Sequence, residues 1–308
     1  MGRLQDALDS AEHMLALYRA LAGPDAGPNP DLADALHTLA LALIAVGRAP
    51  DALAPAEEAV RIYRALVATD PKDYEPAFAR VLDGLATLLR TLDRPEDALD
   101  AALEAFEVFR RVAETTPAAD ADMAGALNNL AMHLGNGGEV AEAATLATEA
   151  VRRYRVLVAA DPARHRPALA MALNNLATYQ RRAGQRTEAL AAATEAVAMY
   201  RDLSAADPEG YDPSLARSLA VLHRVQLDLG QQRAAFAAIR EALTVLRPAF
   251  LDLPSAHAVL MAHILGDYRA LAAGLGRLVE PALMTPIYEA LQALDEAADA
   301  ADEADSGA

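Results

Sequence analysis

The chain has 308 residues and a formal net charge of −17, with 54% hydrophobic residues, 5% aromatics and neither cysteine nor tryptophan. The missing cysteines exclude disulfides, zinc–thiolate sites and cysteine nucleophiles, and the charge argues against nucleic-acid and anionic-membrane partners. No run of about 18 apolar residues occurs, and the opening "MGRLQDALDS" has no basic-then-apolar leader pattern, so the expectation is a soluble cytoplasmic protein.

In chain order, the first predicted element is a helix within 1–24 carrying the apolar stripe Leu4, Leu8, Met14 and Leu17. It reads as the second half of a two-helix unit, without the first half. Either the chain comes from a longer protein or something covers this end, self-association being one way. From 25 to 254, five units follow in one register. Turn residues Gly2, Gly47, Asp93, Gly138, Gly184, Gly230 and Gly276 lie 45 or 46 apart. Five positions after the first six of these comes a small residue: Ala7, Ala52, Ala98, Ala143, Ala189 and Ala235. An aromatic–arginine pair recurs as Tyr18-Arg19, Tyr63-Arg64, Phe109-Arg110, Tyr154-Arg155 and Tyr200-Arg201, decaying to Leu246-Arg247, and a proline closes each unit at Pro71, Pro117, Pro162, Pro208 and Pro254.

Each unit reads as two antiparallel helices, A and B. In the fourth, helix A is predicted from Pro167 to about Ala183, with Pro76, Pro167 and Pro213 as first-turn prolines of their helices. A turn at Gly184 follows, and helix B is expected over about Thr187 to Ala205, stopping at Asp207-Pro208. One such pair cannot bury its own apolar face, so the units must stack. Ser255–Ala293 reads as a diverged capping unit interrupted by Pro281 and Pro286. The chain closes at 295–308 with an acidic tail, "DEAADAADEAD", of six acids and no base. The fold class expected is all-α.

The spacing of Leu127, Leu130, Ala131, Leu134, Gly138, Ala143 and Ala150 resembles the tetratricopeptide repeat family, whose unit is about 34 residues. The excess of about 12 residues is expected in a longer helix B and in the loop before the next helix A. The motif "LNNLA" at 127–131 and 173–177 is similar to the long-unit kinesin light chain type, and the alanine richness to actinobacterial versions. The resemblance implies a right-handed superhelical solenoid with the A helices lining a concave groove. It also implies which positions open into that groove. They are Asp34, His37, Leu41, Ile44 and Ala45; Arg80, Asp83, Thr87, Arg90 and Thr91; Gly125, Asn128, Met132, Gly135 and Asn136; Met171, Asn174, Thr178, Arg181 and Arg182; and Arg217, Ala220, Arg224, Leu227 and Asp228. Six arginines face three aspartates on that projection, although the whole chain is acidic. Arginine suits forked binding of carboxylate. The alternative is that these arginines pair with acids on neighbouring B helices.

Asn128 and Asn174 hold the same groove position in successive units, where amides match the backbone of an extended peptide; the alternative is that they satisfy carbonyls within the stack. Asn129 and Asn175 are expected to turn toward the neighbouring helix. His165 and His257 align with Tyr74 and Tyr211 in a loop before helix A, and no histidine pair has zinc-ligand spacing with an acid. No phosphate loop, G-x-S-x-G or H-E-x-x-H is present, so no cofactor, metal or catalytic residue is assigned. The function expected is a non-enzymatic adaptor binding an acidic protein or peptide segment through His37, Arg80, Asp83, Arg90, Asn128, Met132, Asn174, Thr178, Arg181, Arg182, Arg217 and Arg224. Alternatives are a small-molecule or signal-peptide receptor within a regulatory assembly and, less favoured, an enzyme on a helical-repeat scaffold.

Overall fold

The computed structural model describes residues 2–22, 27–116 and 120–306. Pro117 lies outside them, as do the side chains of the acidic run beyond Glu296. The described residues form thirteen α-helices and no strand. They divide into two compact units, Met1–Ala160 and Asp161–Ala308.

The first unit holds α1 (Gly2–Ala22), α2 (Pro30–Ala45), α3 (Ala49–Thr69), α4 (Pro71–Thr91), α5 (Pro95–Thr115), α6 (Asp120–Gly137) and α7 (Val140–Ala160). The second holds α8 (Pro162–Arg182), α9 (Arg186–Ala206), α10 (Pro208–Asp228), α11 (Gln232–Asp252), α12 (Pro254–Gly274) and α13 (Pro281–Ser306). Within each unit, helices consecutive in sequence pack on one another, and each even-numbered helix touches the next even-numbered one. Even-numbered helices are therefore the A helices and odd-numbered ones the B helices, stacked as antiparallel pairs.

The A helices begin earlier than the sequence suggests. α4, α8 and α10 start at Pro71, Pro162 and Pro208, so the proline taken as closing one unit opens the next helix. The preceding aspartate supplies the reason. The side chains of Asp70, Asp161 and Asp207 accept from the amides of Asp73, Arg164 and Gly210, which caps each helix. A proline then stands at the first helical position, where its missing N–H has no partner to lose. Pro76, Pro167 and Pro213 consequently lie inside the helices. The carbonyls they free, on Lys72, Ala163 and Glu209, are in exposed first turns where water serves them. His165 is helical for the same reason, and His257 is helical in α12, which opens at Pro254 without a side-chain cap. The extra length of each unit sits in both helices, not in a loop. Pro281 likewise opens α13 instead of breaking it, Pro286 is accommodated inside it, and Gly2 belongs to α1 rather than to a turn.

The repeated markers now have physical causes. Gly47, Gly138, Gly184, Gly230 and Gly276 take left-handed backbone, as does Asp93 at φ 57°. Behind each, an amide reaches five residues back to close the helix end, as Arg48 N–H to Leu43 C=O at 2.8 Å and Gln185 N–H to Gln180 C=O at 2.8 Å. Ala52, Ala98, Ala143, Ala189 and Ala235 are wholly buried, which sets the close approach of A and B helices. The repeating aromatic is buried between helices as Tyr63, Phe109, Tyr154 and Tyr200. The arginine beside it stays outside: Arg64 pairs with Glu104 and Arg201 with Glu241 of the next B helix, both at 2.7 Å, whereas Arg110 pairs with Glu107 and Glu114 of its own helix. Exposed pairs of this kind contribute less than about 1 kcal/mol each, so burial of small and aromatic side chains holds the stack.

Candidate functional site

In the first unit, the A-helix face forms a cleft of about 520 Å³. α2 contributes His37, Leu41 and Ile44; α4 contributes Arg80, Asp83, Gly84 and Thr87; α6 contributes Asp122, Gly125 and neighbouring alanines; Phe109 and Tyr154 from α5 and α7 form its floor. Two helix-interior glycines give it depth. A Cβ on Gly84 would meet the His37 ring at 2.8 Å, so the edge of the imidazole packs directly on α4. A Cβ on Gly125 would come 3.6 Å from the Tyr154 hydroxyl. Glycine inside a helix is about 1 kcal/mol worse than alanine, a penalty that sets both positions apart in the sequence.

The cleft is electrically two-sided. Toward α2, the Tyr63 hydroxyl donates to Asp34. Burial, then the Asp34 contact, pushes the Tyr63 phenol well above its ordinary range. Burial depresses His37, with Asp34 opposing and Arg80 reinforcing, so its ring is neutral at physiological pH. Toward α7, Asp83 lies half-buried and is held by Asn129, whose amide donates to both carboxylate oxygens at 3.0 and 2.8 Å. Burial raises the Asp83 carboxyl despite those bonds. The Tyr154 phenol is pushed up to about 12, by burial first and then by Asp83 and Asp122.

The remaining sequence-predicted residues scatter. Arg90 is exposed at the end of α4 and makes no ion pair among the described residues, and Met132 is half-buried. Asn128 is 3% exposed. Asn174, 8% exposed, accepts from the Ser218 hydroxyl of α10 at 2.9 Å, so its oxygen serves the stack instead of the open face. Thr178 donates to the Asn174 carbonyl within its own helix. In the second unit, Arg181 pairs with Asp228 at 3.2 Å and Arg224 with Asp267 at 3.3 Å. The acids that meet these arginines stand on the next A helix, not on a B helix. Arg182 and Arg217 are exposed on the same face. Asp122, Ser218 and Asp267 were not picked out by sequence, and Tyr154 only as a repeat marker, because each acts in the site through a neighbour more than 25 positions away.

Three stretches of the chain, 32–71, 123–163 and 169–208, match the tetratricopeptide repeat family. No curated protein gives a significant sequence match. Among solved structures, BtubC (BKLC) from P. vanneervenii is 22% identical, with 80% of this chain and 92% of that one aligned at a TM-score of 0.61. A putative kinesin light chain with nearly identical TPR-like repeats from Podosopora anserina is 19% identical over 72% of this chain and 98% of that one, TM-score 0.52. The Rap conjugation gene regulator of plasmid pLS20, solved in complex with the Phr* peptide, is 14% identical over 80% of this chain and 63% of that one, TM-score 0.52. At these identities the likeness is one of fold.

Proposed function

We propose that the chain, three stretches of which match the tetratricopeptide repeat family, is a non-catalytic scaffold, similar in fold to the kinesin light chain repeats, whose A-helix face holds an extended protein or peptide segment. The complex of a fold relative with a peptide supports this reading. The observation that carries it is the charge of the second unit's A-helix face. There Arg181, Arg182, Arg217 and Arg224 stand against Asp228 and Asp267, on a chain of net charge −17. The preferred segment is therefore acidic. Arg217 makes no ion pair among the described residues, and Arg181 and Arg224 hold partly exposed pairs worth less than about 1 kcal/mol, which a ligand carboxylate can replace. A desolvated arginine–carboxylate contact contributes more, about 1.5–3 kcal/mol.

A peptide array probed with the intact chain tests this. Acidic peptides should be enriched, binding should fall with salt, and Arg217→Ala with Arg224→Ala should reduce it. Enrichment of Lys- and Arg-rich peptides, unmoved by those substitutions, would place the working surface elsewhere. The cleft of the first unit, about 520 Å³, favours a second reading, a receptor for a compact ligand such as a signal peptide or small molecule.

A further inference from the structure

The position facing the buried aromatic of helix B changes from pair to pair. In α2 it is Asp34, which accepts the Tyr63 hydroxyl; in α6 it is Gly125, which carries no side chain to do so. Tyr154 is 5% exposed, yet its hydroxyl has no hydrogen-bond partner among the described residues and opens into the cleft over Gly125. Within the chain the Tyr154 phenol thus lacks the bond that Tyr63, at the matching position, makes, and its oxygen faces the cleft.

The groups around that gap have one sign. Asp83 and Asp122 are the charged residues whose field falls on Tyr154. Among the described residues no cation pairs with Asp83; its bonds come from the neutral Asn129 amide. The two other charged or titratable residues that line the cleft are His37 and Arg80, and the field of Arg80 falls on His37 and Tyr63, toward α2. We propose that Gly125, Tyr154, Asp83 and Asp122 form a subsite for a cationic group, an ammonium or guanidinium carried by a bound segment. Asp83 and Asp122 neutralise it, the Tyr154 oxygen accepts one of its hydrogens, and the space left by Gly125 admits it. Leu41, Ile44 and Phe109 give apolar contact for the rest of that side chain. The subsite deepens the peptide-scaffold reading by naming one contact, but its geometry stands on the first unit alone.

The intact chain labelled with ¹³Cζ-tyrosine provides the test, with the Tyr154 resonance identified by its loss in Tyr154→Phe. Methylguanidinium and methylammonium chlorides are titrated against sodium chloride at matched ionic strength. The Tyr154 resonance should shift saturably with the organic cations and not with sodium. That shift should vanish in Asp83→Asn/Asp122→Asn, and independently in Gly125→Met, which uses the residue type found at the matching position of α8, Met171. Helical circular dichroism establishes that each variant folds. A response equal to that of sodium, or one that survives both variants, overturns the subsite. A random peptide library displayed on phage separates the two readings. If nothing is enriched while the resonance still saturates, the peptide reading fails and the subsite stands. If sequences are enriched but the resonance does not saturate, the subsite fails.

Discussion

Asn129 on α6 donates from its amide nitrogen to the two carboxylate oxygens of Asp83 on α4, 46 residues earlier. The spacing is one repeat period, so a residue type disfavoured in helices here ties one A helix to the one before it. Asn174 does the reciprocal job, tying α8 forward to Ser218 of α10.

Removing the amide leaves a half-buried carboxylate without donors. Asn129→Ala should therefore lower stability by about 1–3 kcal/mol. The loss should also depend on pH. Burial already holds the folded Asp83 carboxyl above its ordinary value of 3.8, and Asn129 opposes that shift. A raised folded value favours folding below the unfolded pKa, and this contribution is lost as pH rises through the folded value. The variant raises that value further. Denaturant titration should accordingly show a larger penalty at neutral pH than near pH 4; a pH-independent penalty would mean that Asp83 is not the group affected.

Much of this architecture could be read from the sequence, because the repeat writes each structural requirement several times. Turn glycines, buried alanines and the aromatic–arginine pair recur with a fixed period, and each has one local cause. Helix starts were misplaced by five residues, since an Asp-Pro pair serves equally as the end of one element and the capped beginning of the next. The site was less legible. A position's register shows which face a residue is on, but not whether a partner from another helix already occupies it, as Ser218 occupies Asn174 and Asp228 occupies Arg181.

Gly125→Ala should stabilise the chain by about 0.5–1 kcal/mol, because alanine is the better helix former and its Cβ would sit 3.6 Å from the Tyr154 oxygen, an ordinary contact. Gly84→Ala should not give that gain, since its Cβ would meet the His37 ring at 2.8 Å. Thermal unfolding of the two variants side by side checks the contrast. Equal gains would show that His37 moves aside freely.

Asp93 is the one non-glycine residue in left-handed backbone among the described residues. Asp93→Gly should raise stability by about 1 kcal/mol, as the left-handed conformation strains residues bearing a Cβ. Asp161→Ala should lower it by about 0.5–2 kcal/mol through loss of the cap on Arg164. Both are measurable by urea denaturation of the intact chain.

His37, His133 and His223 all lie below the ordinary imidazole value of 6.5, burial being the first cause in each. A depressed folded value means that the stability they contribute is whole above 6.5 and is lost as pH falls through the folded values. Melting temperature should drop on acidification below about pH 6.5, and His133→Leu should flatten that slope by removing one titrating ring. A slope unchanged in this variant would assign the acid sensitivity to other groups.

Hydrogen–deuterium exchange of the intact chain, with and without a peptide selected on it, tests the central claim most directly. If the A-helix face is the binding surface, the amides that gain protection lie in α2, α4 and α6 or in α8, α10 and α12. Protection confined to α3, α5, α7, α9 and α11 would contradict the account.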